Sequence, residues 1–236
     1  LLKSVLLFFT FSFFAFASND KTLTFSLGQE SPIQKISFDV LKVAYEKLGY
    51  DINIKYYPLE RALLTSNAGE VDGELSRIKG IEQKYKNLIP ITIPINFIEG
   101  YAFSWNDELD IKNWNSLKKR SNICIIGIKF VEKNFLKRGI KCDDVPSITQ
   151  AVKMLQKKRY ETVVLPKINA IKVLRDLGID DVSLVGMRLI KINLYHYLHK
   201  KNIHLAEKLQ DEISKMEKSG QISELRKKCI KKYKLR

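Results

Sequence analysis

The 236-residue chain is short of acid: 26 Asp and Glu stand against 41 Lys and Arg, a formal net charge of +15. A surface that basic attracts nucleic acid, anionic lipid or acidic solutes. The basic residues gather at Lys118–Arg120 and from Arg226 to Arg236, without the interleaved aromatics of a nucleic-acid binder, so nucleic acid is not an expected partner. Cysteine is scarce too. Cys124, Cys142 and Cys229 cannot all pair within one chain, and none has the Cys-x-x-Cys or Cys/His spacing of a metal site. Of the three histidines, His196 and His199 stand three apart in a strand-like run, which turns them to opposite faces and disfavours a shared metal. A phosphate loop and a nucleophile–base pair are also missing, so no metal, cofactor or catalytic residue is expected and the chain does not read as an enzyme.

Long apolar runs are confined to the start. Leu1 to Phe16 carries one charge, Lys3, and is too short to cross a bilayer comfortably. It ends in the small-x-small sequence Ala15-Phe16-Ala17, followed by the polar Ser18-Asn19-Asp20-Lys21. This pattern predicts a signal peptide over residues 1–17, export to the periplasm and a mature chain beginning near Ser18. No later segment is apolar enough for a transmembrane helix.

From Thr22 onward the chain alternates strand and helix, the pattern of an α/β fold with mainly parallel sheets flanked by helices. Thr22 to Leu27 alternates as a half-buried strand does. Ser37 to Leu48 puts Val40, Leu41, Ala44 and Leu48 on one helical face and stops at Gly49. Asp51–Tyr56 reads as a strand, Leu59–Asn67 as a helix opened by Pro58, and Gly73–Ile78 as a strand. The same grammar returns in Ser121–Ile126, Phe130–Lys137, Ile140–Val145, a helix begun by the capping box Ser147-Ile148-Thr149-Gln150, Tyr160–Leu165 and Asn169–Leu177. Ile93–Ser104 and Leu189–Leu198 read as two crossings between the halves, and Ala206–Tyr233 as one or two closing helices. Cys124 and Cys142 fall in consecutive strands of one βαβ unit. A bridge between them and two buried thiols are both open readings.

The stretch Tyr57-Pro58-Leu59-Glu60-Arg61-Ala62-Leu63, with Gly69-Glu70-Val71-Asp72-Gly73-Glu74-Leu75-Ser76-Arg77 soon after it, resembles the first-lobe core of family 3 solute-binding proteins. Trp114-Asn115-Ser116-Leu117-Lys118 is similar to that family's linker into the second lobe. Ala151–Leu155 with Arg159–Val164 is similar to its later helix–strand phrase. The resemblance implies a two-lobed periplasmic binding protein of type II, a "Venus flytrap". It places lobe 1 at 18–97, lobe 2 at 98–190, and a return crossing with C-terminal helices closing on lobe 1 at 191–236. It further implies a monomer that captures a small polar, amino-acid-like solute and delivers it to the membrane permease of an ABC-type transporter. Two other roles share the fold: a ligand-sensing module acting with a separate partner, and a dehydratase-like cleft enzyme using Glu30 or Glu74.

Ligand-binding candidates are the polar groups at strand ends and helix starts. Arg77 offers a planar fork for a carboxylate. Gln29 and Glu30 follow the first strand, Glu30 as a candidate acceptor for a cationic group, and Glu74 shares the strand of Arg77. Tyr57 is a candidate to stack on the solute, with a core aromatic as the favoured competing reading, while Gly127 and Phe130 line the opposite lobe. An ion pair of Arg77 with Glu74 or Glu60 is the competing structural reading. Two departures from the amino-acid binders stand out: Ile81-Glu82-Gln83-Lys84 replaces the usual arginine region, and Pro166 stands where those proteins often carry an aspartate.

Overall fold

The computed structural model describes residues 21–28 and 30–232. The leader expected over residues 1–17 lies outside them. The first half is built from β1 (Thr22–Leu27), α1 (Pro32–Lys47), β2 (Asp51–Tyr56), α2 (Leu59–Ala68), β3 (Gly73–Arg77) and the short β4 (Leu88–Pro90). β1 lies between β2 and β3, parallel to both. Helix α1 begins five residues earlier than its apolar periodicity suggests. Ser31 is its N-cap, accepting from the Gln34 amide at 3.3 Å, and Pro32 occupies the first turn, where a missing N–H costs nothing. α1 buries Val40, Leu41, Ala44 and Tyr45 against Phe25 and Leu75 of the sheet, and Leu209, Ile213 and Met216 close that core from a later helix.

The second half holds β5 (Asn96–Ser104), β6 (Asn122–Ile125), α3 (Lys129–Arg138), β7 (Asp143–Val145), α4 (Ile148–Gln156), β8 (Thr162–Pro166) and α5 (Lys167–Leu177). β6 lies parallel between β7 and β8. Its core packs Phe103, Ile123, Val152, Leu155, Val163 and Leu165 together. Trp114–Leu117, the linker phrase, forms a 3-10 turn with a full capping box between Asn113 and Ser116. At α4 the Ser147 hydroxyl accepts from the Gln150 amide at 3.2 Å, which supplies the hydroxyl half of the expected box.

The halves are joined by β5 and by β9 (Ser183–His199), a strand longer than the crossing read from sequence. These crossings are not separate tethers. They pair antiparallel with each other from Asn96↔Leu194 to Gly100↔Ile190, so the hydrogen-bonded path β2-β1-β3-β9-β5-β8-β6-β7 is continuous through them. The crossings read from the sequence are thus paired strands of that path: the halves keep distinct cores, but β9 serves both. Among the described residues every antiparallel pairing involves β5 or β9, and the pairings outside those strands are parallel. Beyond Gly100 the register shifts to Ala102↔Val185 as β9 bulges around Ile111. At the bulge Gly186 takes φ +66°, and a Cβ there would lie 2.2 Å from the Ile111 carbonyl oxygen, so only glycine fits.

Two closing helices, α6 (Ala206–Lys218) and α7 (Gln221–Lys232), return to the first half. α7 is fastened to the crossing by Arg226, whose guanidinium lies 3.7 Å from the Phe97 ring centroid and donates to Asn96 Oδ1 at 2.5 Å and the Phe97 carbonyl at 3.1 Å. Asn96 in turn donates to the Ile33 carbonyl of α1 at 2.8 Å.

Cys124 and Cys142 form a disulfide with Cα atoms 5.6 Å apart, and Cys229 is a buried free thiol. The bridge joins residues 18 apart across α3. Closing a loop of that length restricts the unfolded chain enough to stabilise the fold by about 2–3 kcal/mol. Reduction, or Cys124→Ala with Cys142→Ala, should therefore lower the unfolding free energy by that amount, read as a lower urea midpoint. An unchanged midpoint would show that the bridge contributes nothing.

Candidate functional site

A cavity of about 450 Å³ opens between the halves. Its first-half wall is Glu30, Ser31, Pro32 and Leu59. The second-half wall comes from the β6–α3 turn, the start of α4 and the start of α5. The chain places these groups together for a simple reason: in each half parallel strands run outward and turn into helices at the same edge, so strand ends and helix starts share the rim. Beside the cavity Ile33 and Ile36 of α1 pack on Ile168 of α5 and Leu194 of β9, an apolar seal that brings the starts of α1 and α5 face to face.

The expected residues fall into different places. Glu30 is exposed and lines the cavity. Gly127 lines it as well, with φ +92°, and its own amide donates to Glu132 Oε1 at 2.8 Å. Phe130 turns toward the crossing strand: a Cβ on Gly100 would sit 2.9 Å from its ring, so the aromatic packs on the hinge. Tyr57 is half-buried and outside the cavity lining, and Gln29 lies outside the described residues.

Glu74 calls for correction as a ligand contact, and Arg77 is partly committed to it. The Glu74 side chain is 0 % exposed and cannot meet a solute in this structure. It accepts from Arg77 Nε at 2.7 Å and from the Ser26 hydroxyl, which lies against Ser66. Burial pushes the Glu74 carboxyl above the ordinary range, against the pull of Arg77 and the hydroxyls. Arg77 Nη2 donates to the Leu59 carbonyl at 3.3 Å, and the side chain is 15 % exposed. Two nitrogens of the fork are thus used internally, and Leu59, which touches the guanidinium through its carbonyl, is itself part of the cavity wall. Glu60 pairs instead with Lys84 at 3.6 Å. Asp72 is structural too: it accepts from the Thr24 amide at 2.8 Å and from Asn202 Nδ2 at 2.9 Å, tying β1 to the turn after β9. Burial acts to raise its carboxyl, but these bonds and Lys201 outweigh it and hold it below the usual range.

Residues that the sequence reading did not name as ligand candidates complete the wall. Ser147 and Thr149 bring hydroxyls from the start of α4, Asn169 and Lys172 lie on one face of α5, and Ile126 is 62 % exposed at the rim. Lys172 pairs with Asp176 on its own helix. Asn169 carries the sole buried side-chain N or O atom among the described residues without a hydrogen-bond partner, its Oδ1. A polar residue in the first turn of a helix that directly succeeds a buried strand and proline was the available signal.

No family model matches the chain. An uncharacterized protein of Shewanella oneidensis is 24 % identical over 229 residues, covering 86 % of this chain and 80 % of its relative. Among solved structures, the probable amino-acid ABC transporter extracellular-binding protein ytmK of Bacillus subtilis superposes with TM-score 0.71 at 15 % identity, covering 88 % of this chain and 96 % of its own. A histidine kinase sensor domain with similarity to periplasmic binding proteins gives TM-score 0.69 at 14 % identity, covering 89 % of this chain and 96 % of its own. The chain therefore has the two-lobed α/β fold of periplasmic binding proteins. No helix among the described residues is long and apolar enough to cross a membrane.

Proposed function

We propose that this chain is a periplasmic solute-binding protein of the family 3 type, which captures a small polar solute of amino-acid size between its lobes. One observation carries the reading: a cavity of about 450 Å³ lined from both halves, beside two strands that join them. Such a cavity is large enough for a small solute and lies where the strand ends and helix starts of both lobes converge. In this reading residues 1–17 are a cleaved leader, 18–97 and 98–190 are the lobes, and 191–236 return and close on lobe 1. Glu30 and the second-lobe wall meet the solute, with Nη1 of Arg77 reached once Leu59 moves aside. The monomer hands its solute to a membrane permease of the ABC type.

The likeness to a kinase sensor domain favours a second reading, in which the same cleft reports solute occupancy to a separate signalling partner. Both readings require a ligand. In a thermal-shift screen of the chain from Ser18 onward against amino acids, hydroxy acids, polyamines, organic acids and short peptides, a true ligand at about a hundred times its dissociation constant should stabilise by about 2.7 kcal/mol. A screen in which no class moves the melting temperature overturns the solute-binding reading.

A further inference from the structure

The bridge between Cys124 and Cys142 has a carboxylate beside it. Cys124 of β6 is the register partner of Asp144 of β7, and Cys142 stands two residues before Asp144, so all three side chains leave the sheet on one face. The two sulfurs and a carboxylate oxygen lie within 4.8 Å of one another. Asp143, between the two ligand positions of β7, turns to the other face and accepts from the Tyr160 hydroxyl at 2.5 Å. Spacing along the chain hides this group, because the cysteines are 18 residues apart and only the parallel pairing of β6 with β7 brings them to one place.

Cys124 and Cys142 pack in the apolar cluster of Trp114, Phe135 and Ile140, whereas Asp144 is exposed on β7, the last strand of the hydrogen-bonded path. A cation thus has a solvent entrance on the carboxylate side and a water-poor wall behind the sulfurs, where its attraction to anionic ligands is strongest. The Asp144 carboxylate has no hydrogen-bond or ion-pair partner among the described residues, in a chain where basic residues outnumber acidic ones by 41 to 26. It is free to ligate. The thiolate is the metal-binding form of cysteine, so the closed bridge holds no metal. A dithiol reductant attacks at Cys142, the half-buried sulfur of the pair; the S–S bond breaks, the reductant closes its own disulfide, and its two electrons and two protons leave two thiols. A divalent cation then displaces both thiol protons to solvent and takes two thiolates and the Asp144 carboxylate, with water in the fourth tetrahedral position. Thiolates on tetrahedral zinc stand about 3.8 Å apart, with bonds of about 2.3 Å, and rotation about the two Cα–Cβ bonds provides that separation with Cα atoms 5.6 Å apart.

We propose that Cys124, Cys142 and Asp144 form a redox-gated site for a thiophilic divalent cation of the Zn²⁺ class: a disulfide under oxidising conditions, and a metal site once a dithiol opens the bridge. Two thiolates favour Zn²⁺ or Cd²⁺ over Mg²⁺ or Ca²⁺. The cation restores, between β6 and β7, the link that reduction removes. This inference is independent of the solute-binding reading.

The test uses Cys229→Ala protein, so that the third thiol contributes nothing. After reduction with dithiothreitol and its removal under nitrogen, Cd²⁺ should raise a thiolate-to-metal absorption band that saturates at one ion per chain, and Zn²⁺ should compete it away. The oxidised protein should show no band. Cys142→Ser should abolish the band, while Asp144→Asn should keep it but weaken the apparent affinity about tenfold or more, since an amide is a poorer ligand than a carboxylate. Zn²⁺ should also return the urea midpoint of the reduced protein toward that of the bridged one. No band in the folded, reduced protein, or equal binding by the oxidised protein or Cys142→Ser, overturns the site, and an affinity unchanged in Asp144→Asn overturns the three-ligand set. Should reduction itself unfold the chain, circular dichroism becomes the readout: refolding on addition of Zn²⁺ supports the site, and a chain that stays unfolded overturns it.

Discussion

Arg77→Ala is expected to destabilise the folded protein by about 3–5 kcal/mol, because it strands a carboxylate with no exposed surface. Glu74 accepts from Arg77 at 2.7 Å and from Ser26, and no other cation pairs with it among the described residues. Sequence alone casts Arg77 as a ligand clamp, whose removal would cost binding and little stability. The structure reverses that order, since Nε and Nη2 are held internally. The pH dependence has a definite sign. Burial already holds the Glu74 carboxyl above its ordinary range, so the stability it contributes is present below the ordinary glutamate pKa and is lost as pH rises through the raised folded value. Without the opposing pull of Arg77 the loss should deepen, making Arg77→Ala more destabilising at pH 7 than at pH 4. Glu74→Gln in the Arg77→Ala background should recover a large part of it, because a neutral amide needs no counter-charge. Urea denaturation of wild type and the two variants at both pH values decides this: a loss below about 1 kcal/mol for Arg77→Ala would place the pair among weak surface bridges.

Acid should destabilise the protein through His196. The imidazole is wholly buried between Phe25 and Tyr45, with Nε2 2.8 Å from the Tyr45 hydroxyl and Nδ1 3.0 Å from the Leu75 carbonyl. A neutral ring that donates from Nδ1 and accepts at Nε2 satisfies both neighbours, and a second proton has no acceptor of its own. Burial lowers the pKa to about 4 from the ordinary 6.5, with the Leu75 and Glu74 backbone pulling the other way. The unfolded chain takes up a proton near pH 6.5 that the folded chain refuses until about pH 4. Stability is therefore complete above pH 6.5 and falls as the pH drops through that window, by roughly 3 kcal/mol. His199, lowered first by burial and then by Lys201 and Lys200, adds to the same slope. His196→Gln removes the His196 share, so its unfolding free energy should change less between pH 7 and pH 4.5 than that of wild type, whatever its absolute stability. Equal slopes in the two proteins would refute the assignment.

Much of the architecture is legible in the chain because it rests on local rules. Apolar spacing and caps place α2, α5 and the closing helices within a few residues, and glycines at 69, 139 and 178 end helices in the left-handed conformation. The start of α1 escapes that reading because its first turn is marked by a serine and a proline and lies before the most regular part of the apolar stripe. β9 runs longer than its sequence suggests because its first residues are largely exposed and carry a bulge, so they lack the alternation that identifies a strand.

The site is harder to read, since a charge at a strand tip looks the same in sequence whether it faces a cleft or a buried partner. By itself the sequence determined the alternating strand–helix order, the two crossings, the cysteines available to pair and the resemblance that implies a two-lobed fold, because each rests on periodicity, spacing or a run of neighbours along the chain. Long-range packing settled that Arg77 is held by Glu74, that Cys124 and Cys142 are joined, and that Asn169 lines the same cavity as Glu30 from the opposite wall. Those facts depend on which distant residues burial brings within hydrogen-bond reach, and the register of β5 on β9, which sets one lobe against the other, is a property of the folded pair.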